Sequence, residues 1–520
     1  MSLTEAMEPA IEEPSSSSAV KRSSLRKDGF ELFIFSEAGK PIYSFSKCED
    51  AITLMPLCSA LINYALKVQS ETLLFIKTSD DLVISFTTRS PLVIIVIYDA
   101  NSNVDPNILV DQVEAQIISI LTAKTLQSVF EERPTFDLKR LLYGSEKLID
   151  SLLNLSVHEK KLSWPYVQAF LAVTSTATGT IHSTSNPLLP SRPHRVLIPI
   201  VSMPASMRDI IHNTLTSVVL TFSKNIVFSL LFRVVLPNNE KDEPVNENYT
   251  ENFDEISQDL MNDVSFKLID VCNHHGKHKV KIADIHIILA LLDGSKSQLS
   301  SVESLWMPVC MPRFNRDAFL HSYISYLNGM RNCLILFSID RDDFSNCQKA
   351  RNGIEEKLDQ LLNDASQKSK LYYQMSPLVH PVLLDLQDKL LDPTSSSSRL
   401  AELQQQAQIY NSKLELYHAR QLQFLWYQTN KQVLWWQRSS RKPPSPALYY
   451  VMKKMLRSSL KTLWLKLADE TIFLGWHVPT FQLYAQFDNT VTTNEATEVV
   501  QRITNWVKKE EDSFTIRDYK

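Results

Sequence analysis

FELFIFSEAGKPIYSF, residues Phe30 to Phe45, opens the stretch whose reading decides the fold. Its first seven residues have the aromatic and branched character of a strand, EAGKP is a turn, and Ile42 to Phe45 resume the strand pattern, so the stretch predicts a hairpin. Gly39 is free to take the positive φ such a turn uses, and Pro41 stiffens the exit. Next, Leu54, Leu57, Leu61, Ile62 and Ala65 recur at helical spacing within Ala51 to Val68, where Pro56 is tolerated near the first turn. Three strand runs follow, TLLFIKT (72–78), LVISFTT (82–88) and LVIIVIY (92–98). Polar Ser79-Asp80-Asp81 and then Arg89-Ser90-Pro91 separate them. Two helices close the unit, Asn107 to Phe130 and, after the extended Arg133-Pro134 break, Leu138 to Leu153.

The order ββαβββαα is the longin arrangement, a five-stranded antiparallel sheet with one helix on one face and two on the other. Longin units serve as docking platforms, and the fold alone does not say what docks. The rest of the chain reads as two looser copies, giving an α/β (α+β) protein of three longin-like domains. A Ser-rich tail over 1–28 has too few apolar groups to repay ordering. Domains are expected at 29–156, 163–295 and 304–517. The second contains the strands VLIPIVS, NIVFSLLFRVV and FKLIDVC, a helix from Ser206 to Phe222, an acidic insertion over 237–264, and a closing helix from Ile282 to Leu292. The third starts with strands Trp306 to Met311, Phe319 to Leu327 and Cys333 to Ile339 and a helix from Asn346 to Leu362. After a Ser-rich breaker at Thr394 to Ser398 come QFLWYQTNKQVLWWQ, SLKTLWLKL, TIFLGWHV, FQLYAQF and a helix from Glu495 to Glu511.

Composition removes several classes of function. Apolar residues at 44% and charged residues at 22% describe an ordinary globular chain. A net charge of -4 offers no cationic field for nucleic acid. No apolar run reaches the roughly 20 residues of a membrane span, and the acidic, Ser-rich start lacks the features of a secretory signal, so a cytosolic protein is expected. The six cysteines contain no CxxC pair and are expected as reduced thiols. Only nine glycines occur, none spaced to cradle a phosphate, which argues against a kinase or nucleotide hydrolase.

SEAGKPIY (36–43) and RPTFDLKRLLYGSEKLIDSLL (133–153) resemble the SAND family of vacuolar fusion proteins. So do SMPASMRDIIHNTL, KVKIADIHIILALL, WMPVCMPRFN, FLHSYISYL, CLILFSIDRDDF and ITNWVKKEEDSFTI. The resemblance covers roughly 29–517, with gaps at the acidic insertion and around 371–450. It implies three longin domains and a heterodimer with a second tri-longin subunit, of the family named for calcium, caffeine and zinc sensitivity. That pair is implied to catalyse GDP release from a Rab-seven type GTPase on late endosomes or vacuoles, downstream of a Rab-five type GTPase, with a third scaffold subunit in animals. The short tail departs from family members with a longer regulatory N-terminus. Lys21, Arg22, Arg26 and Lys27 of the tail are either solvated or a phosphorylation-controlled or lipid-headgroup contact, and peripheral membrane contact with phosphoinositides is expected.

Contact residues rather than a catalytic constellation are therefore expected. Ser36, Glu37, Ala38, Gly39, Lys40, Pro41, Ile42 and Tyr43, with Leu57 and Leu61 of the following helix, are the expected partner and GTPase interface. Ile226, Phe228 and Leu230 belong either to an ordinary buried strand or to an exposed sheet edge that recruits the upstream GTPase. Cys272, His274, His275 and His278 carry zinc-type ligand atoms, but no second ligand pair at matching spacing accompanies them, so HHGKH reads as a solvated turn, with no metal or cofactor expected. Trp426, Trp435 and Trp436 read as core or inter-domain packing, the alternative being a membrane wedge. A non-enzymatic longin adaptor or tether is the other reading of the whole chain.

Overall fold

The computed structural model describes residues 30–46, 51–162, 198–235, 264–363, 423–438 and 451–505, apart from short gaps inside these ranges. It divides into two compact units, Met1–Pro106 with Glu132–Leu141, and Asn107–Glu131 with Leu142–Lys520.

In the first unit, β1 (Phe30–Ser36), β2 (Pro41–Ser44), β3 (Phe75–Lys77), β4 (Leu82–Arg89) and β5 (Leu92–Asp99) form one antiparallel sheet in the order β2-β1-β5-β4-β3. β5 lies at the centre, between β1 and β4. Six consecutive apolar residues in it are buried, because both faces of the sheet are covered there and alternation is unnecessary. Phe33, Phe35, Phe86, Val93, Ile95 and Ile97 face α1 (Ala51–Val68), which contributes Cys58 and Ile62. Leu32, Ile34, Ile94 and Val96 point the other way and are equally buried.

The helix expected over 107–130 is two helices, α2 (Pro106–Leu121) and α3 (Ala123–Glu132). Thr122 takes φ +67° between them, and its hydroxyl accepts the Thr125 N–H at 3.3 Å as a new N-cap. The next helix is likewise split, into α4 (Lys139–Leu142) and α5 (Glu146–Leu162), by Gly144 at φ +81°.

The second unit contains two further sheets. In one, β6 (Ile226–Val235), β7 (Ser265–Asn273), β8 (Leu305–Met311), β9 (Asn315–Leu327) and β10 (Asn332–Ser338) run in the order β7-β6-β10-β9-β8. One face packs on α6 (Ala205–Phe222) and α8 (Phe344–Asn363) through Ile211, Leu215, Val218, Leu334, Leu336, Ala350 and Ile354. The other packs on α7 (Ile282–Leu299) through Leu230, Phe232, Ile285, Ile288, Leu292 and Ile335, with Leu148 of α5 joining the same core. In the other sheet, β11 (Gln423–Gln428), β12 (Val433–Arg438), β13 (Thr462–Lys466), β14 (Ile472–His477) and β15 (Phe481–Phe487) run β12-β11-β15-β14-β13. All three sheets therefore repeat one strand order, second-first-fifth-fourth-third.

This topology corrects the expected boundary between the second and third domains at 295–304. The strands read as the start of the third domain complete the second sheet, since β10 pairs with β6 from Asn332↔Arg233 to Ser338↔Ile226. The helix taken as closing the second domain, α7, is the crossover that corresponds to α1 in the first. VLIPIVS, expected as a strand, makes a single parallel bridge, Ile200↔Leu268. The Ser-rich tail, the 237–264 insertion except Val264, and the 394–398 breaker lie outside the described residues. In the C-terminal segment expected as helical, residues 496–505 are helical wherever they are described. Among the described residues no helix is long and apolar enough to cross a membrane.

Candidate functional site

The surface of the first unit carries the feature that demands explanation. α1 contains one charged residue, Lys67, in 18. Two apolar stripes run along it at helical spacing. Cys58, Ile62 and Ala65 make the inner one; Cys58 and Ala65 are buried, Ile62 packs against the sheet core, and burial pushes the Cys58 thiol up to about 11, leaving it inert. Leu57, Leu61, Tyr64 and Val68 make the second and stand in solvent, 37% to 65% exposed. Leu66 adds to the exposed apolar surface. Such a concentration of uncovered apolar side chains, with Lys67 as the one charge on the helix, has the composition of an interface core.

The sheet reinforces this surface at its rim. β3, only three residues long, is the last strand beside β4 and pairs with it alone, Phe75↔Ser85 to Lys77↔Val83. Leu74 and Phe75 at this edge are more than 60% exposed. An edge of this kind presents unpaired backbone donors and acceptors that a strand from another chain can complete. The nearby Lys77–Asp81 ion pair, 3.1 Å and about half exposed on both sides, adds little stability.

The β1–β2 turn lies against the same helix. Gly39 takes φ +79°, and a Cβ there would come 3.3 Å from Ser59 Oγ. Ser36 closes the turn: its N–H donates to the Lys40 carbonyl at 2.9 Å, its carbonyl accepts the Gly39 N–H at 2.7 Å, and its hydroxyl accepts the Lys40 N–H at 3.1 Å. Glu37 N–H donates to the Pro91 carbonyl at 3.1 Å. The expected interface residues thus fall into two groups. Glu37, Ala38, Lys40, Pro41, Leu57 and Leu61 are exposed and available to a partner, whereas Ser36, Ile42 and Tyr43 are buried and hold the hairpin, with Gly39 permitting its turn. Tyr64, Leu66, Val68, Leu74 and Phe75 were not anticipated as contacts; the signal for the first and third was the second stripe at 57, 61, 64 and 68.

The expected recruitment edge at Ile226, Phe228 and Leu230 is corrected. β6 is hydrogen-bonded on both sides, to β7 and β10, and all three side chains are fully buried. Its apolar residues fail to alternate because the strand is interior. The histidine-rich turn does not gather around Cys272: His274 Nε2 lies 2.9 Å from Ser229 Oγ, and His278 is outside the described residues. Trp426 pairs across the strands with Trp435, and Leu425 with Trp436, in a sheet whose strand positions are described but whose side chains here are not.

Comparison with known proteins identifies longin domains along the chain. Models of the first, second and third longin domains of FUZ, MON1 and HPS1 match residues 31–152, 264–354 and 382–511. Protein SAND of Takifugu rubripes is 26% identical over 497 residues, covering 93% of this chain and 75% of the relative. Vacuolar fusion protein MON1 homolog A of Gallus gallus is 25% identical, covering 93% and 71%. MON1 homolog B of Homo sapiens is 24% identical, covering 94% and 75%. A bacteriophytochrome from R. palustris superposes with a TM-score of 0.17 at 8% identity over 89% of this chain and 82% of its own, which carries no argument.

Proposed function

The chain belongs to the MON1/SAND family of longin proteins, and from that premise we propose that it is one subunit of a heterodimeric guanine-nucleotide exchange factor for a Rab-seven type GTPase in late-endosome and vacuole trafficking. The observation that carries this reading is the exposed apolar stripe of α1 beside the open β3 edge. A second tri-longin subunit, of the calcium, caffeine and zinc sensitivity family, docks there. Its counterpart helix covers Leu57, Leu61, Tyr64 and Val68, and its edge strand extends the sheet. Full burial of an apolar side chain is worth roughly 1.5–3 kcal/mol. With each of these about half exposed already, the stripe offers on the order of 1 kcal/mol per residue.

Exchange requires no acid, base or nucleophile from this chain. A surface that binds the nucleotide-free GTPase better than the GDP form lowers the barrier to release, and about 10³ to 10⁵-fold acceleration corresponds to roughly 4–7 kcal/mol, within the reach of a protein interface. Glu37 and Lys40 supply charged contacts at the margin of the stripe, and Ala38 and Pro41 add apolar surface beside them. A Rab-five type GTPase, a third scaffold subunit and phosphoinositide headgroups act in recruiting the complex to the membrane.

The test follows fluorescent GDP leaving the Rab-seven type GTPase in the presence of the copurified heterodimer. Leu57→Asp with Leu61→Asp is expected to dissociate the heterodimer while the isolated chain keeps its melting temperature. Glu37→Ala with Lys40→Ala is expected to leave the dimer intact and slow release. A folded, dimeric parent complex that does not accelerate release would replace this reading with that of a non-enzymatic adaptor.

A further inference from the structure

Away from the docking surface, three atoms of metal-ligand type converge in the second unit. His212 on α6 places Nδ1 2.8 Å from Asp270 Oδ2 on β7. Cys272 Sγ lies 3.3 Å from the same nitrogen and 3.4 Å from the same oxygen. Asp270 and Cys272 are buried, while His212 is about one-third exposed. From the geometry of this triangle we infer that His212 Nδ1, Asp270 Oδ2 and Cys272 Sγ bind one zinc-class divalent cation, with a water completing a tetrahedron on the exposed side of His212.

The local structure is built to bring these atoms together. Residues 270 and 272 share a face of β7 by the two-residue strand period. That face reaches α6 because of a bulge: Leu231 pairs with Asp270 and Phe232 with Leu268, leaving Ile269 unpaired. Ile269 consequently joins the core beneath α6 while Asp270, its neighbour, also faces that helix. Bulges commonly re-aim side chains at functional positions. On the helix, Thr216 follows His212 by one turn, and its hydroxyl and that of Ser229 both favour the thiolate form of Cys272. They are the outer shell that a bound thiolate needs.

Distances and charge select the ion class. Bonds of about 2.0–2.3 Å to nitrogen, oxygen and sulfur in a tetrahedral zinc site separate the ligand atoms by roughly 3.3–3.5 Å. Both sulfur distances already lie there, and the nitrogen–oxygen pair must open by only about 0.5 Å, a movement open to a half-buried imidazole. Thiolate with imidazole disfavours magnesium and calcium, which take oxygen ligands. Thiolate and carboxylate together offset the two charges of the ion, which matters where both ligands are buried, while the buried Arg208 guanidinium, whose charge also interacts with Asp270, adds one positive charge beside the site. Burial and the Asp270 charge raise the pKa of the free thiol, so ion entry must displace its proton. The S–H bond breaks as the metal–sulfur bond forms, the proton leaves to solvent past His212, and no electrons change hands.

Cobalt(II) titration of the chelator-treated full chain tests this inference. The expected result is one ion per chain, a thiolate-to-cobalt charge-transfer band with the visible bands of a four-coordinate ion, and bleaching by added zinc. Cys272→Ser and His212→Gln are each expected to weaken binding by at least about 100-fold, with folding verified by circular dichroism; His212→Gln alters a part-exposed side chain and keeps the test valid should Cys272→Ser unfold. Cys48→Ser is expected to leave the band unchanged. A folded chain without the band, a band that survives His212→Gln, or one lost in Cys48→Ser would overturn the assignment and leave a hydrogen-bonded trio.

Discussion

Asp284 and His286, two residues apart on α7, are both fully buried and are driven in opposite directions by the same desolvation. The carboxyl is raised from 3.8 to about 6, countered in part by the Arg313 N–H that donates to Oδ1 at 3.0 Å, and the imidazole is lowered from 6.5 to about 4. As pH falls from 6.5 towards 4, the unfolded chain takes up a proton at His286 that the folded chain refuses, and stability declines. From about 6 to 3.8 the folded chain takes up a proton at Asp284 before the unfolded chain does, and stability rises. Each slope is at most about 1.4 kcal/mol per pH unit, and over the shared window they oppose each other. Asp284→Asn retains the Oδ1 acceptor and removes one of the two slopes. Urea midpoints of the variant are therefore expected to fall more steeply than the parent's between pH 6 and 4; parallel curves would mean that Asp284 does not titrate there. None of this was visible in KVKIADIHIILALL, where Asp and His look like polar positions of an amphipathic helix, because their neighbours come from far along the chain: Gln112 and Ala115 of α2 and Leu152 of α5 beside His286, and Arg313 against Asp284.

Among the elements, α5 and α7 meet at a glycine. A Cβ on Gly294 would approach Leu148 Cδ2 at 2.8 Å and Ser151 Oγ at 3.3 Å. Gly294→Ala gains up to about 1 kcal/mol of helix propensity against a clash with a side-chain tip that can shift, and is expected to be close to neutral. Gly294→Val adds branching at the contact and is expected to cost about 1–3 kcal/mol. Differential scanning calorimetry separates the two, and equal melting temperatures would show that the helices separate freely. The elements themselves were largely legible: hydrophobic period, turn residues and Pro positions located every strand of the first sheet and α1. What was not legible was where a helix interrupts itself, since Thr122 and Gly144 look unremarkable in sequence, and the value of a strand's flanks. Ile226, Phe228 and Leu230 have the same composition on an edge as in an interior, and only pairing with β10, over 90 residues later, distinguishes them. The exposed apolar stripe of α1 was half legible, Leu57 and Leu61 having been singled out and Tyr64 and Val68 passed over although they continue the same period. The convergence of His212 with Cys272 was out of reach, because the two lie 60 positions apart and the adjacent histidines were the nearer candidates.

At the scale of the whole molecule, three longin-like copies were foreseen, but the second boundary was misplaced because periodicity marks strands without naming their partners. A fragment over 107–300 contains two strands of the second sheet and is expected to lack a cooperative thermal transition. One over 107–363 contains all five, with α2, α5, α6, α7 and α8, and is expected to melt as one unit by circular dichroism. Comparable transitions in both would show that β8, β9 and β10 are dispensable. The pairing of β6 with β10 also sets a clock for biosynthesis. Roughly a hundred residues separate the strands, and at about 5–20 residues per second β6 waits about 5–20 s after leaving the ribosome before its central neighbour emerges. During that interval a strand of almost uninterrupted Ile, Val, Leu and Phe has one side unpaired, so the nascent chain, rather than the finished protein, is the form most in need of a chaperone.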